Sequence, residues 1–297
     1  MASNYILSNS DITLVVSTKG AEIISIKDKY NKEYIWQGCA DVWSDHFYNI
    51  FPICGRLIND TYSLNGKNFK MSLHGFALNK EFKIESFTNE QITLFINEDQ
   101  ETLKVYPFKF LFKVRITIAN NKVIIEYSVT NNDKKTMYYS LGSHPGFVLT
   151  IDDETKFEDY YIEISGDTIE KYELNDKKIL KNFSAIIKTN IINLNRKMFE
   201  ASAQIYKVNS EIIKLKCKNK DIVVLSELKE FPYLVLFTAK DAKLICIEPW
   251  GSLTMFENEN SDITTRNGFI NLIQNETRVT KYQLEVCLWK NMRYLKK

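Results

Sequence analysis

Apolar and polar residues alternate with a period of two along most of the chain. In 113–118, Lys-Val-Arg-Ile-Thr-Ile switches side at every residue, and 123–129 puts Val123, Ile125, Tyr127 and Val129 on one face. Asn120-Asn121 between them is turn chemistry, so the two runs are expected to form a hairpin. A second hairpin is expected where Asn65-Gly66 separates 62–64 from 67–71, because Asn-Gly supplies the positive φ angles of a two-residue turn. Further strands are expected at 12–16, 92–96, 222–225, 233–238, 243–247 and 283–289. The pattern predicts an all-β, large antiparallel sandwich.

Helical signal is sparse. A short helix is expected over 41–48, capped by Asp41, and another over 194–203, with Asn193 as its N-cap. The stretch 152–195 is rich in Lys, Asp and Glu and reads as a solvated excursion on the surface. No linker rich in Pro, Gly or Ser divides the 297 residues and no long repeat is present, so one domain, 1–297, is expected.

Charge narrows the partners. There are 39 Lys and Arg against 37 Asp and Glu, which disfavours a protein that neutralises many phosphates, so no nucleic-acid partner is expected. No apolar run is long enough to span a bilayer as a helix, and no basic-then-apolar leader opens the chain. The five cysteines form no CxxC pair and are odd in number, the signature of free thiols in a reducing compartment; a cytoplasmic location is expected. HxH and HExxH spacings are absent, as are GxSxG, P-loop and GxGxxG motifs, so no metal site and no nucleotide cofactor are expected. A homodimer is compatible with the sequence, but nothing in it requires one.

Candidate chemistry gathers around three of the five prolines. Glu248 ends the apolar run Leu244-Ile245-Cys246-Ile247 and precedes Pro249. A carboxylate ending a strand buried on both faces is either paired or raised in pKa, which suits a general acid or base and equally a structural partner for an arginine. His144 precedes Pro145, and the ring of a following proline holds both candidates extended. Pro52 leads into Arg56, whose planar fork suits sugar oxygens or a neighbouring carboxylate. Trp250 offers a stacking face for a sugar ring, or core packing. His46 reads as a surface or internally satisfied histidine.

Four segments in this order, Asn49–Arg56, Leu73-His74-Gly75-Phe76-Ala77, Leu141–Phe147 and Cys246-Ile247-Glu248-Pro249-Trp250, resemble the aldose 1-epimerase (galactose mutarotase-like) family along nearly the whole chain. The nearest branch is a bacterial one whose typical member is encoded with lactose–tagatose genes. The resemblance implies a groove on one sheet face and a small-molecule sugar as partner. It implies Glu248 as the base for the anomeric hydroxyl and His144 as the acid for the ring oxygen. Arg56, His74, Phe76 and Trp250 would bind substrate. No cofactor is implied, since a hemiacetal opens by proton transfer alone. Leu78 stands where relatives often carry an arginine, which weakens a hexose-6-phosphate reading, although Lys80 lies two residues on; Gly251 follows Trp250 where many relatives have an aromatic residue. A carbohydrate-binding protein without turnover is the alternative from another class.

Overall fold

The computed structural model describes residues 2–149 and 154–288. Two large antiparallel sheets carry the chain. One has nine strands, in the order Ile191–Asn193, Tyr160–Ile164, Ile212–Cys217, Lys220–Ser226, Thr277–Val286, Lys122–Asn131, Phe110–Ala119, Gln91–Asn97 and Lys83–Phe87. The other has seven, in the order Leu180–Ile187, Ile169–Leu174, Gln204–Val208, Tyr233–Phe237, Leu244–Trp250, Gly142–Val148 and Phe47–Ile50.

The hairpins follow the alternation. Phe110–Ala119 pairs with Lys122–Asn131 across Asn120-Asn121, and Val123, Ile125, Tyr127 and Val129 are all buried. Thr61–Leu64 pairs with Lys67–Lys70 across Asn65-Gly66. The last expected strand runs over Thr277–Val286, earlier than expected, and Trp289 lies outside the described residues. Buried aromatic rings, including Phe51, Phe112 and Tyr127, fill the interior, with Phe51 and Phe112 stacked at 4.4 Å.

Three expectations are corrected. Residues 41–48 form no helix: a turn closed by Val42 N–H donating to the Cys39 carbonyl is followed by the Phe47–Ile50 strand, buried at all four positions. Edge pairing to 142–148 outweighs a weak helical preference there. The second helix shrinks to the 3-10 turn Arg196–Phe199, capped by Asn195, whose side chain accepts from Met198 N–H; Asn193 instead ends a strand. The polar stretch is no surface excursion. Its described part supplies Tyr160–Ile164 and Ile191–Asn193 to one sheet and Ile169–Leu174 and Leu180–Ile187 to the other, with Tyr160, Ile162 and Ile164 buried. Residues 152 and 153 lie outside the described residues. The one α-helix among the described residues, Gln100–Val105, was not expected; Asp99 and Thr102 form its capping box.

Candidate functional site

The seven-stranded sheet lines up one row of side chains from strands far apart in sequence. Tyr48 pairs with His144, Glu248 with Val235, Val235 with Ile205 and Ile205 with Tyr172. Between 142–148 and 244–250 the register is set by Gly142 opposite Trp250 and Gly146 opposite Cys246, which puts His144 directly across from Glu248. Successive residues of a strand face opposite ways, so every second residue adds to the same face. Trp250 and Cys246 therefore flank Glu248 on its own side of the sheet.

This row floors a pocket of about 580 Å³. His144, Glu248, His74, Trp250 and Arg56 all line it, together with Trp43, Asp45, Tyr48, Leu78 and Lys178. Phe76 does not. Its ring packs on Phe51, Tyr106 and Phe110 in the interior, so the substrate contact expected of it is corrected to a core role. Lys80 is also elsewhere, paired with Asp99 at 2.7 Å.

Glu248 is 1% exposed and His144 6%. His144 Nε2 lies 3.2 Å from Glu248 Oε1, and the Trp250 indole N–H donates to Glu248 Oε2 at 3.0 Å. Burial pushes the Glu248 carboxyl well above the ordinary carboxylate range, opposed by the Trp250 bond. Burial holds His144 well below the ordinary imidazole value, and His74 nearby adds to that. Both shifts favour neutral forms, so the pair carries one proton between Oε1 and Nε2. Among the described residues no hydrogen bond from another residue to His144 Nδ1 sets the ring's orientation. Stacking does so instead: Tyr48 lies 4.5 Å away at 27° and Trp43 5.3 Å away at 29°.

Gly146 allows the Trp43 contact. A Cβ there would stand 2.5 Å from the Trp43 ring and 2.9 Å from the His46 carbonyl. The turn that carries Trp43 is fastened by Glu22, which accepts from His46 N–H at 2.7 Å and lies 3.2 Å from His46 Nδ1. His46 is thus an internally satisfied histidine.

His74 adopts a left-handed backbone, φ 62°, that a histidine visits rarely. Its Nδ1 accepts from Gly55 N–H at 3.3 Å, so Nε2 carries the proton and is available as a donor. Burial, and secondarily the charge of Arg56, hold its pKa down to about 3. Gly55 itself has φ 70°, and a Cβ there would be 2.0 Å from Thr254 Oγ1, so glycine alone fits. The Phe51–Pro52 bond just before it is cis. Arg56 reaches the pocket rim with Nη1 on Asp60 at 3.1 Å. Opposite, Lys178 is held to the Ala201 carbonyl.

Sequence reasoning did not find Tyr48, Trp43, Asp45, Lys178 or Cys246. Tyr48 and Cys246 had a usable signal, since Tyr48 stands in strand register with His144 and Cys246 lies two residues before Glu248 on the same strand. Trp43, Asp45 and Lys178 reach the pocket from turns, which no spacing rule foretells. The HxH and HExxH spacings are absent, yet a ring nitrogen of His144, the Cys246 sulfur and a Glu248 oxygen all lie within 4.8 Å of one another, a donor set fit to hold a metal ion.

The family model described as Aldose 1-epimerase matches residues 3–271. The chain is 28% identical to the chromosomal Protein LacX of Lactococcus lactis subsp. lactis over 298 residues, covering 93% of each. It superposes with TM-score 0.92 on the galactose mutarotase related enzyme of Lactobacillus acidophilus, at 30% identity over 96% of this chain and 98% of that one. A galactose mutarotase-like protein from Lactobacillus casei gives TM-score 0.90 at 25% identity, with 96% and 100% covered.

Proposed function

We propose, for a chain that belongs to the aldose 1-epimerase family, that it interconverts the α and β anomers of a free, neutral hexose or related sugar. One observation carries this reading: His144 and Glu248 meet at 3.2 Å on the floor of the pocket, facing it together. The two oxygens that exchange protons in ring opening sit on one carbon, so the acid and the base must be close neighbours.

The ligand-free pair already holds the one proton the reaction needs. Its carboxylate–imidazolium tautomer has the same proton count as its neutral form. Incoming hydroxyls replace water and support that charged tautomer. The anomeric O–H gives its proton to Glu248, and its electrons form the aldehyde carbonyl. The C1–O5 bond breaks as His144 protonates O5. Rotation about C1–C2 presents the other carbonyl face. On closure O5–H returns its proton to His144 and Glu248 returns its proton to O1, so the pair is restored. His74 Nε2–H offers a donor to a sugar oxygen, and the Trp250 face offers a stacking wall. Two positioned proton-transfer groups contribute about 10²–10⁴-fold each, sufficient for anomers that already interconvert in water.

A neutral substrate is favoured over a phosphorylated one. Lys80 is engaged by Asp99 away from the pocket, and Arg56 is engaged by Asp60. A second reading, sugar binding without turnover, is supported by one feature: both Glu248 oxygens are occupied, by His144 and by Trp250. The experiment is anomer exchange by NMR over a panel of aldoses and glucose 6-phosphate. Exchange faster than the uncatalysed rate, strongest for neutral sugars, is expected. Saturable binding with no acceleration would select the second reading.

A further inference from the structure

Cys246 stands two residues before Glu248 on the same strand and so shares its face, while Gly146 opposite it contributes no side chain. It packs among Trp36, Trp43 and Phe237, one step behind the pair and outside the pocket lining. It has no part in the proton transfers described above. Yet its sulfur lies within 4.8 Å of both the His144 and Glu248 donors.

We propose that His144, Cys246 and Glu248 form a binding site for a thiophilic divalent cation of the zinc class, and that occupancy shuts the pocket's acid–base pair. The donor set is one imidazole nitrogen, one sulfur and one carboxylate oxygen, the ligand types zinc takes in tetrahedral sites. With Zn–S near 2.3 Å and Zn–N or Zn–O near 2.0–2.2 Å, tetrahedral ligand atoms lie roughly 3.3–3.6 Å apart. The His144–Glu248 spacing of 3.2 Å is already within a few tenths of an ångström of that. The sulfur, within 4.8 Å of both donors, must close in by at most about 1.5 Å to meet that spacing.

Charge argues the same way. A thiolate and a carboxylate cancel the two charges of the ion, with His144 neutral, so the buried complex carries no net charge. Binding displaces two protons to solvent, the thiol's and the one shared by the pair. The fourth ligand position points to the pocket, which His144 and Glu248 line, and takes water or a sugar oxygen. The ion occupies the lone pairs that accept and pass the proton, so the result is inhibition.

The test is Zn²⁺ titration calorimetry, with Co²⁺ as a coloured substitute, on wild type and on Cys246→Ser and Cys246→Ala, each checked for folding by circular dichroism. One Zn²⁺ per chain is expected, with two protons released and a near-ultraviolet thiolate-to-Co²⁺ band. Both variants are expected to weaken Zn²⁺ by at least 10–100-fold, the loss seen for outer-shell partners alone, and to abolish the band. If sugar turnover is present, Zn²⁺ inhibits wild type reversibly to chelator and spares the variants. Equal Zn²⁺ affinity in wild type and both variants would overturn the site, as would a Co²⁺ complex without thiolate absorption or no binding to wild type. None of these readouts depends on turnover, so failure of the metal site and failure of the epimerase reading are separable.

Discussion

Glu248 Oε1 lies 3.2 Å from His144 Nε2, across two antiparallel strands whose central residues are joined by about a hundred residues of intervening chain. The Trp250 indole occupies the other carboxyl oxygen. Burial, which disfavours the charged form of both groups, is what mainly sets the protonation of each partner.

Glu248→Gln keeps the size and the Trp250 contact but removes the proton acceptor. Anomer exchange at saturating sugar is expected to fall by about 10²–10⁴-fold, with sugar affinity changed far less. His144→Asn is expected to fall by a similar factor, and the double variant by little more than either alone, because the two act as one unit. NMR exchange and equilibrium binding measure the two quantities separately. A Glu248→Gln protein with wild-type exchange removes this mechanism.

The pair is active while it holds a single proton. Burial lowers His144, so gain of a second proton falls below the ordinary imidazole value of about 6.5. Burial raises Glu248, so loss of the shared proton falls well above the ordinary carboxylate value of about 4.3. The expected kcat/KM profile has an acid limb below 6.5, where the pair gains a second proton, and an alkaline limb above the ordinary carboxylate range, where it loses the shared one. A single alkaline-rising curve with its midpoint near 6.5 contradicts the shared proton.

Trp250→Phe keeps a ring and removes the indole N–H. A hydrogen bond to a charged group contributes about 1.5–3 kcal/mol, so kcat is expected to fall by roughly 10–100-fold. The lost bond had opposed the upward shift of Glu248, so the alkaline limb moves to higher pH. Loss of stacking alone changes KM and leaves the limb in place.

His74 titrates near 3 in the fold, against about 6.5 unfolded. Between those values the unfolded chain binds the extra proton, so stability rises with pH. The contribution is full above 6.5 and lost as pH falls toward 3, on the order of 5 kcal/mol. Urea unfolding at pH 7 and pH 4 is expected to show this loss, and His74→Gln is expected to flatten it, leaving the part due to His144. An unchanged slope in the variant sinks the assignment.

Gly146→Ala pushes a methyl group into Trp43 and the His46 carbonyl. Overpacking of this kind costs about 1–3 kcal/mol. With the stacked ring displaced, His144 loses its orientation, and exchange is expected to drop although no proton-transfer group has changed. Thermal unfolding and anomer exchange together separate the two effects.

Alternation of apolar and polar residues was enough to read the hairpins, because each strand has one face in the interior and the period-two signal records it. Glu248, His144 and Arg56 were legible from motifs around prolines. The seven-stranded sheet was harder. Leu244–Trp250 is buried on both faces and lacks alternation, so sequence could not say which face bore Glu248. Residues 41–48 misled because a turn and an edge strand carry no pattern of their own. Phe76 misled because it adjoins the pocket-lining His74 while its own ring turns inward. In 152–195, Tyr161 and Glu163 alternate with the buried Tyr160, Ile162 and Ile164, and the charges around them masked a strand.

The row Tyr48–His144–Glu248–Val235–Ile205–Tyr172 draws on six strands whose members span more than a hundred positions. Only the Glu248–Val235 link joins consecutive strands; the other links need partners far apart in sequence. Long-range strand pairing is slow because loop closure comes before the contacts that reward it. During refolding, catalytic competence therefore emerges late, with sheet completion, and chains that have collapsed without finishing the sheet are silent. A one-residue slip in any of these strands turns its member of the row to the opposite face. Variation in sugar preference accordingly has room in the turns at the pocket rim, whereas the strands that carry the row leave no room for insertion.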